Sequence, residues 1–160
     1  MAAFLLPRKT VRDPMTPRQI KNVQVSFERI APYSAQAAEL FYRRLFMLDP
    51  ALRPLFREDL VRHGQQLMDA LAWAVRGLQD RAGLIASIQA LGQRHAGYGA
   101  RPEHYDTVGD ALLWALQQGL GDEFSQEVRD AWVAAYALIA GIMLDAAAQK
   151  SGKVLPFRAA

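Results

Sequence analysis

The chain has 160 residues, no cysteine and a formal net charge of +3. Hydrophobic residues make up 51% of it and charged residues 22%, which is the composition of one soluble globular domain. The absence of cysteine excludes disulfides and cysteine-bound zinc or iron–sulfur sites. The basic residues are scattered among acidic ones, so we expect no nucleic-acid partner. No apolar stretch approaches the roughly 18 residues of a membrane span, so we expect no membrane partner.

The N-terminal segment does not resemble a secretory signal. Its apolar patch precedes Arg8, Lys9 and Arg12, whereas a signal peptide carries its basic residues first. We therefore predict a loose extension over 1–15, a folded domain over 16–149 and a tail over 150–160, in a cytoplasmic protein.

Hydrophobic residues recur every three or four positions, which predicts amphipathic helices, and no stretch alternates as a strand does. Thr16, followed by a proline, is expected to begin a first helix that runs to about Ile30. Ser34 is expected to cap a second helix that ends before Pro50. A short turn over 51–56 then leads to the third.

The third predicted helix, over 60–78, has one apolar face formed by Leu60, Gly64, Leu67, Met68, Leu71, Val75 and Leu78. A fourth carries an apolar face of Leu84, Ile85, Ile88, Leu91 and His95. Two further helices are predicted over about 102–119 and 123–149. The three tryptophans are expected to anchor the core, namely Trp73, Trp114 and Trp132.

Histidine is the residue type that points to a site, because phosphate loops, nucleophile elbows and paired-histidine zinc motifs are absent. His63 and His95 fall on apolar helix faces, whereas His104 is expected at the surface. A single histidine on an apolar face is usually bonded to a carbonyl. Two of them on different helices, with Tyr42 pointing inward and Phe56 at a corner, indicate an apolar pocket with a few polar groups.

Several short segments occur in an order that resembles the bacterial globins. They are Leu55-Phe56, His63 with Leu67-Met68, Leu91 to His95, Glu103 to Tyr105 with Val108-Gly109, and Ala131-Trp132 with Tyr136. The resemblance is to the globin domain of flavohaemoglobins and their single-domain relatives, and it covers about residues 16–147. It implies an all-α globin fold, with six to eight helices packed at steep angles around one haem b.

On one haem face, the resemblance implies that His95 is the proximal iron ligand, with Leu91 and Val108 packed nearby. The second ring nitrogen of such a histidine can bond a carbonyl and fix the ring. Tyr105 matches a tyrosine that, together with a glutamate, polarises the proximal histidine in flavohaemoglobins. Ala147 stands at the glutamate's place, so we expect weaker dioxygenase chemistry.

On the other face, the resemblance implies that Phe56 stacks on the porphyrin and that Leu67 lies above the iron. It also implies a distal polar group of Tyr42, His63 and Gln66. Tyr42 or His63 can donate a hydrogen bond to bound gas, which stabilises it by about 1–3 kcal/mol in a dry pocket. Alternatively, His63 ligates the iron as a second axial histidine.

These features together predict a monomer or weak homodimer that reversibly binds O₂, NO or CO. NO dioxygenation is expected only with a separate reductase, because the globin resemblance occupies most of the chain and flavin motifs are absent. The alternative is a bis-histidine haem protein that acts as a gas or redox sensor or in electron transfer. A third interpretation is a haem-free helical interaction module with structural histidines.

Overall fold

The structure, a computed structural model, describes residues 15–56, 59–97 and 100–150. The predicted N-terminal extension and C-terminal tail therefore lie almost wholly outside the described residues. Within these ranges there are six α-helices, three short 3₁₀ turns and no strand, which confirms the all-α prediction. The helices are α1 (Pro17–Ile30), α2 (Ser34–Leu48), α3 (Leu60–Gly77), α4 (Arg81–Gly97), α5 (Pro102–Leu120) and α6 (Gln126–Lys150).

The start of α1 follows from its first residues. The Thr16 hydroxyl accepts a hydrogen bond from the backbone N–H of Gln19 (3.1 Å), and the Gln19 side chain accepts one from the backbone N–H of Thr16 (3.0 Å). This reciprocal capping satisfies two N–H groups that have no partner inside the helix, and a cap of this kind contributes about 1 kcal/mol. The predicted boundary at Thr16 is confirmed.

The predicted cap at Ser34 is wrong, because Ser34 is the first residue of α2. A 3₁₀ turn over Ala31–Tyr33 joins α1 to α2, and Tyr33 stands at the N-cap without a side-chain hydrogen bond. Pro32 does not break this connection, since a proline in the first turn of a helix lacks only an N–H that would have no partner there. The chain therefore turns at Pro32 without a polar cap.

Two hydrophobic clusters form the core. The larger contains residues of all six helices, and the smaller consists of Phe41, Tyr42, Leu45, Leu52, Ala111 and Ala115. Trp132 is 1% exposed in the larger cluster, as predicted. Trp73 is 44% exposed, so the prediction that it anchors the core is wrong.

Helix α6 is the central element of the larger cluster, because both α1 and α4 pack on it. By length and composition its segment Gln126–Gln149 is apolar enough to cross a membrane, contrary to the expectation that no stretch approaches such a span. More than half of its most apolar window (56%) is buried within the fold. Its composition is therefore explained by burial between neighbouring helices.

A buried hydrogen bond ties α1 to α6. The Trp132 indole Nε1–H donates to the Ser26 hydroxyl at 2.8 Å, and this hydroxyl in turn donates to the backbone oxygen of Asn22 at 2.6 Å. Buried polar groups of this kind are costly without a partner. The pair therefore fixes the register of α1 on α6.

Candidate functional site

An aromatic cluster joins α2, the turn after it and α3. It consists of Phe41, Tyr42, Phe46, Phe56 and His63. The Tyr42 ring centroid lies 5.0 Å from that of Phe41, 6.0 Å from that of Phe46 and 5.4 Å from that of Phe56. The Phe56 ring meets the His63 imidazole edge to face at 5.6 Å. The structure therefore brings together three predicted site residues, Tyr42, Phe56 and His63.

The corner that carries Phe56 is fixed by local bonds. A 3₁₀ turn over Pro50–Leu55 precedes Phe56, whose backbone N–H donates to the Arg53 carbonyl at 3.1 Å. The Arg53 guanidinium donates to the Phe56 carbonyl at 2.8 Å and lies over the Phe46 ring at 5.3 Å. Asp59 then caps α3 by accepting the Val61 N–H at 2.9 Å. Phe56, before the corner, and Asp59, after it, both contact His63: the first through its ring and the second through its carbonyl, which accepts the His63 N–H at 3.1 Å.

Gly64 allows α3 to approach α2 beside His63. A Cβ atom at this position would lie 2.9 Å from the Ala38 Cβ and 3.9 Å from the Tyr42 Cε2. Real Cβ contacts below 3.0 Å essentially do not occur, so a larger residue would force the two helices apart. The close approach keeps the helix of His63 beside the ring of Tyr42.

Tyr42 is buried, and this burial raises the pKa of its phenol to about 12. The hydroxyl therefore keeps its proton at neutral pH and is able to donate a hydrogen bond. His63 and Leu67 are half-buried on the same side of α3, and Leu67 packs against the smaller core cluster. Leu67 also lines a small apolar cavity of about 20 Å³. Gln66 is exposed, and its predicted role at the distal site stays a prediction.

His95 lies near the end of α4 and is half-buried. Its Nδ1 is 2.9 Å from the Leu91 carbonyl oxygen. Because a carbonyl only accepts, Nδ1 carries the proton in this bond and Nε2 carries the lone pair. Burial lowers the pKa of His95 below 6.5; the Leu91 bond opposes this shift, and the charge of Arg94 adds to it to a smaller extent. The imidazole is therefore neutral at pH 7, in the form that binds a metal.

The other residues predicted near His95 lie in different clusters. Leu91 packs half-buried against the larger cluster, and Val108 packs against the smaller one. Tyr105 is buried, which raises its pKa, and its contact with His95 stays a prediction. The Tyr136 hydroxyl donates to the Tyr105 backbone oxygen at 2.5 Å.

The bond from Tyr136 was missed by sequence reasoning, although Tyr136 belongs to the matched segments. A Cβ at Gly109 would lie 2.7 Å from the Tyr136 Cε1, so the glycine admits this ring against α5. The glycine and tyrosine are distant in sequence, and their pairing has no local signal. At the start of α5, His104 is half-buried and accepts the Arg101 N–H on Nδ1 at 3.0 Å, as a helix-end residue does.

The His95 imidazole and the aromatic cluster with Tyr42 have the chemistry that a haem requires of its surroundings. A neutral imidazole whose tautomer is fixed by a carbonyl is the usual protein ligand of haem iron in globins. The aromatic cluster of α2 and α3 offers apolar rings and one buried phenol that is able to donate a hydrogen bond. The residues at the site are therefore chemically suited to the group that the sequence resemblance implies.

Comparison with known sequences gives consistent matches. A sequence model of the globin family matches residues 39–143. A flavohemoprotein of Xylella fastidiosa (strain Temecula1) is 35% identical over 134 residues, which is 81% of this chain and 33% of that protein. A flavohemoprotein of Vibrio cholerae is 32% identical over 108 residues, 66% of this chain and 27% of its own length. The chain thus spans between about a quarter and a third of the length of these relatives.

The fold is also similar to a solved structure. An engineered carbene transferase, made from a Rhodothermus marinus protein assigned as a nitric oxide dioxygenase, superposes with a TM-score of 0.78 at 27% identity. The match covers 86% of this chain and 96% of that chain. The sequence match spans more than half of the chain and agrees with the helical architecture. The chain therefore belongs to the globin family.

Proposed function

We propose that this globin holds haem b through His95 and reversibly binds O₂, NO or CO on the opposite haem face. The observation that carries the proposal is the hydrogen bond between His95 Nδ1 and the Leu91 carbonyl, because it places the proton on Nδ1 and so selects the imidazole tautomer that binds a metal through Nε2. When bound, the haem supplies an iron coordination position for a diatomic gas. The membership of the globin family supports the same cofactor.

The chain's own residues have distinct tasks in this proposal. His95 binds the iron, with Leu91 one turn earlier on the same helix. The contact of Val108 with this face stays a prediction because Val108 packs in the cluster of Tyr42. Tyr42 is able to donate a hydrogen bond to the gas ligand because a phenol is protonated at neutral pH and this one is shielded from water by burial. His63 is a second donor, and the Phe56 ring lies between it and Tyr42 in the chain of ring contacts. A donor in a dry pocket stabilises a polar ligand by about 1–3 kcal/mol.

The titration of apoprotein with hemin tests this proposal. We expect one haem per chain, a Soret band, and a five-coordinate ferrous spectrum that changes on addition of CO. A protein that binds no haem would contradict the proposal. A six-coordinate ferrous spectrum that reverts to five-coordinate in the His63→Leu variant would instead support the bis-histidine alternative.

We further propose NO detoxification as the use of this globin, in the cytoplasm and with electrons from a separate reductase. The names of the similar proteins support this use, since they include flavohemoproteins and an engineered carbene transferase made from a protein assigned as a nitric oxide dioxygenase. Ala147, half-buried on α6, offers no carboxylate to polarise His95, so we expect the turnover to be modest. NADH does not itself deliver single electrons to a haem without a flavin or similar cofactor.

The NO electrode tests this use directly. With NADH and O₂, the chain of 160 residues is expected to consume NO over many turnovers only when a flavin reductase is added. The reductase alone is the control. Sustained turnover by the chain without a reductase would contradict the proposed dependence.

A further inference from the structure

Gly92 lies on α4, one turn before His95, and is buried against α6. A Cβ atom on Gly92 would stand 2.5 Å from the carbonyl oxygen of Met143 and 2.6 Å from its Cα. Both distances are shorter than 3.0 Å, and real Cβ atoms essentially never approach another atom so closely. The atoms concerned belong to the backbone of α6 and cannot move away by changing a rotamer. Any side chain at this position would therefore displace one of the two helices.

Gly77 and Gly83, two other glycines near α4, do not have this property. A Cβ at Gly83 would meet the Asp80 carboxylate oxygen at 2.7 Å, and one at Gly77 would meet the Leu84 Cδ1 at 2.9 Å. These atoms belong to side chains, so a methyl group there would press on a side chain and not on the backbone of another helix. A glycine in the interior of a helix is destabilising relative to alanine. At Gly92, the stability that glycine costs the helix is offset by a close contact with the backbone of α6, which an alanine would prevent.

The contact lies in the same helical turn as the bond that fixes His95. Leu91, whose carbonyl accepts from His95 Nδ1, directly precedes Gly92. A displacement of α4 from α6 would therefore move both the imidazole and the carbonyl that orients it. A functional geometry must be held to within about 0.5 Å to perform its chemistry.

We propose that Gly92 is a positioning residue for His95, because its missing side chain sets the separation of α4 and α6 and thereby the position of the imidazole relative to the haem. The proposal rests on the proposed function, in which His95 is the iron ligand. It assigns to Gly92 no contact with the haem or the gas.

The test compares Gly92→Ala with the matched variant Gly83→Ala, which adds the same methyl group to an exposed position of the same helix. Gly92→Ala is expected to transfer haem to an acceptor apoglobin roughly tenfold faster, as overpacking of this size would produce. Its iron–histidine stretching band in the ferrous resonance Raman spectrum is expected to shift. Gly83→Ala is expected to leave both measurements unchanged. An unchanged band and transfer rate in Gly92→Ala would overturn the proposal, as would loss of its helical circular dichroism.

A second background separates positioning of His95 from general damage to the pocket. In His95→Gly, added imidazole serves as an iron ligand that is not tethered to α4. Adding Gly92→Ala to this background is expected to leave the iron–imidazole band unchanged. An equal shift in both backgrounds would overturn the positioning role. Retention of haem and of the iron–histidine band by His95→Gly without imidazole would instead show that His95 is not the ligand, which is a failure of the proposed function.

Discussion

The two sides of the proposed haem site are built by different means. On the side of α2 and α3, ring contacts of the aromatic cluster, at 5.0 to 6.0 Å, place Tyr42 beside Phe56, and Phe56 beside His63. On the side of α4, the placement depends on backbone atoms, since His95 bonds the Leu91 carbonyl and Gly92 lies against the backbone of α6.

This difference has consequences for substitution. Ring contacts can be altered in size and polarity by single substitutions, so their effects on ligand binding are expected to be graded. A backbone contact made through glycine has no smaller alternative, and every substitution enlarges it. We therefore expect the aromatic cluster to tune gas binding and the α4–α6 side to set cofactor retention and stability.

The largest expected effect on stability lies on the α6 side, at the bond between Ser26 and Trp132. Ser26→Ala leaves the buried indole N–H of Trp132 without its acceptor, which should cost about 1–3 kcal/mol of unfolding free energy. Chemical denaturation of the apoprotein measures this loss. Ser87→Ala, on the exposed face of α4, is the control and should be close to neutral. If the two variants were equally stable, the buried bond would not contribute as described.

The next effect lies in the aromatic cluster. Tyr42→Phe preserves the ring contacts but removes the donor, so O₂ should dissociate at least about tenfold faster, with little change in stability. Stopped-flow displacement of O₂ measures the rate. Tyr33→Phe removes the same hydroxyl from a residue that is 61% exposed, and it should leave the rate unchanged. A change of less than about twofold in Tyr42→Phe would contradict the role of Tyr42.

His63→Leu is expected to have a smaller effect on the same rate, because His63 is only half-buried and water competes for its hydrogen bonds. We expect O₂ dissociation to accelerate by more than about twofold and CO association to stay unchanged. Flash photolysis measures CO association. Strongly accelerated CO binding would mean that His63 had occupied the iron. It would contradict the proposed role of His63 as a hydrogen-bond donor and support the bis-histidine alternative.

The smallest expected effect is the pH dependence of apoprotein stability on the α4 side. The pKa of His95 lies below its ordinary 6.5 in the folded state. The unfolded chain therefore binds this proton more readily, and stability is lost as the pH falls from 6.5 through the lower folded pKa. The free energy of unfolding should fall more steeply over this range in the wild type than in His95→Gln. Parallel pH profiles would contradict the burial of a neutral His95.

Helical periodicity carried most of what could be predicted. It placed His63 and His95 on apolar faces, and it left Trp73 outside the apolar stripe of its helix. The prediction that Trp73 anchors the core came from its residue type and was wrong. The helical periodicity, which places Trp73 off the apolar face, was right. A strongly apolar residue is able to lie at the surface when its helix presents a different face to the core.

The pairings that span distant segments could not be predicted. Ser26 meets Trp132 across 106 positions, and Gly92 meets Met143 across another long separation. Each residue by itself is compatible with many environments, and only the packing angle of two helices selects the partner. The resemblance to the globins supplied the order of the helices but not these contacts.

The central claim is that His95 holds the cofactor, and the absorbance spectrum of hemin-reconstituted His95→Ala after desalting tests it most directly. The variant is expected to lose its Soret band on desalting and to regain it when imidazole is present, because the imidazole replaces the missing ligand. His104→Ala, which changes a histidine at the start of α5, should retain full haem occupancy. Full occupancy in His95→Ala without imidazole, with an unchanged ferrous spectrum, would contradict the claim.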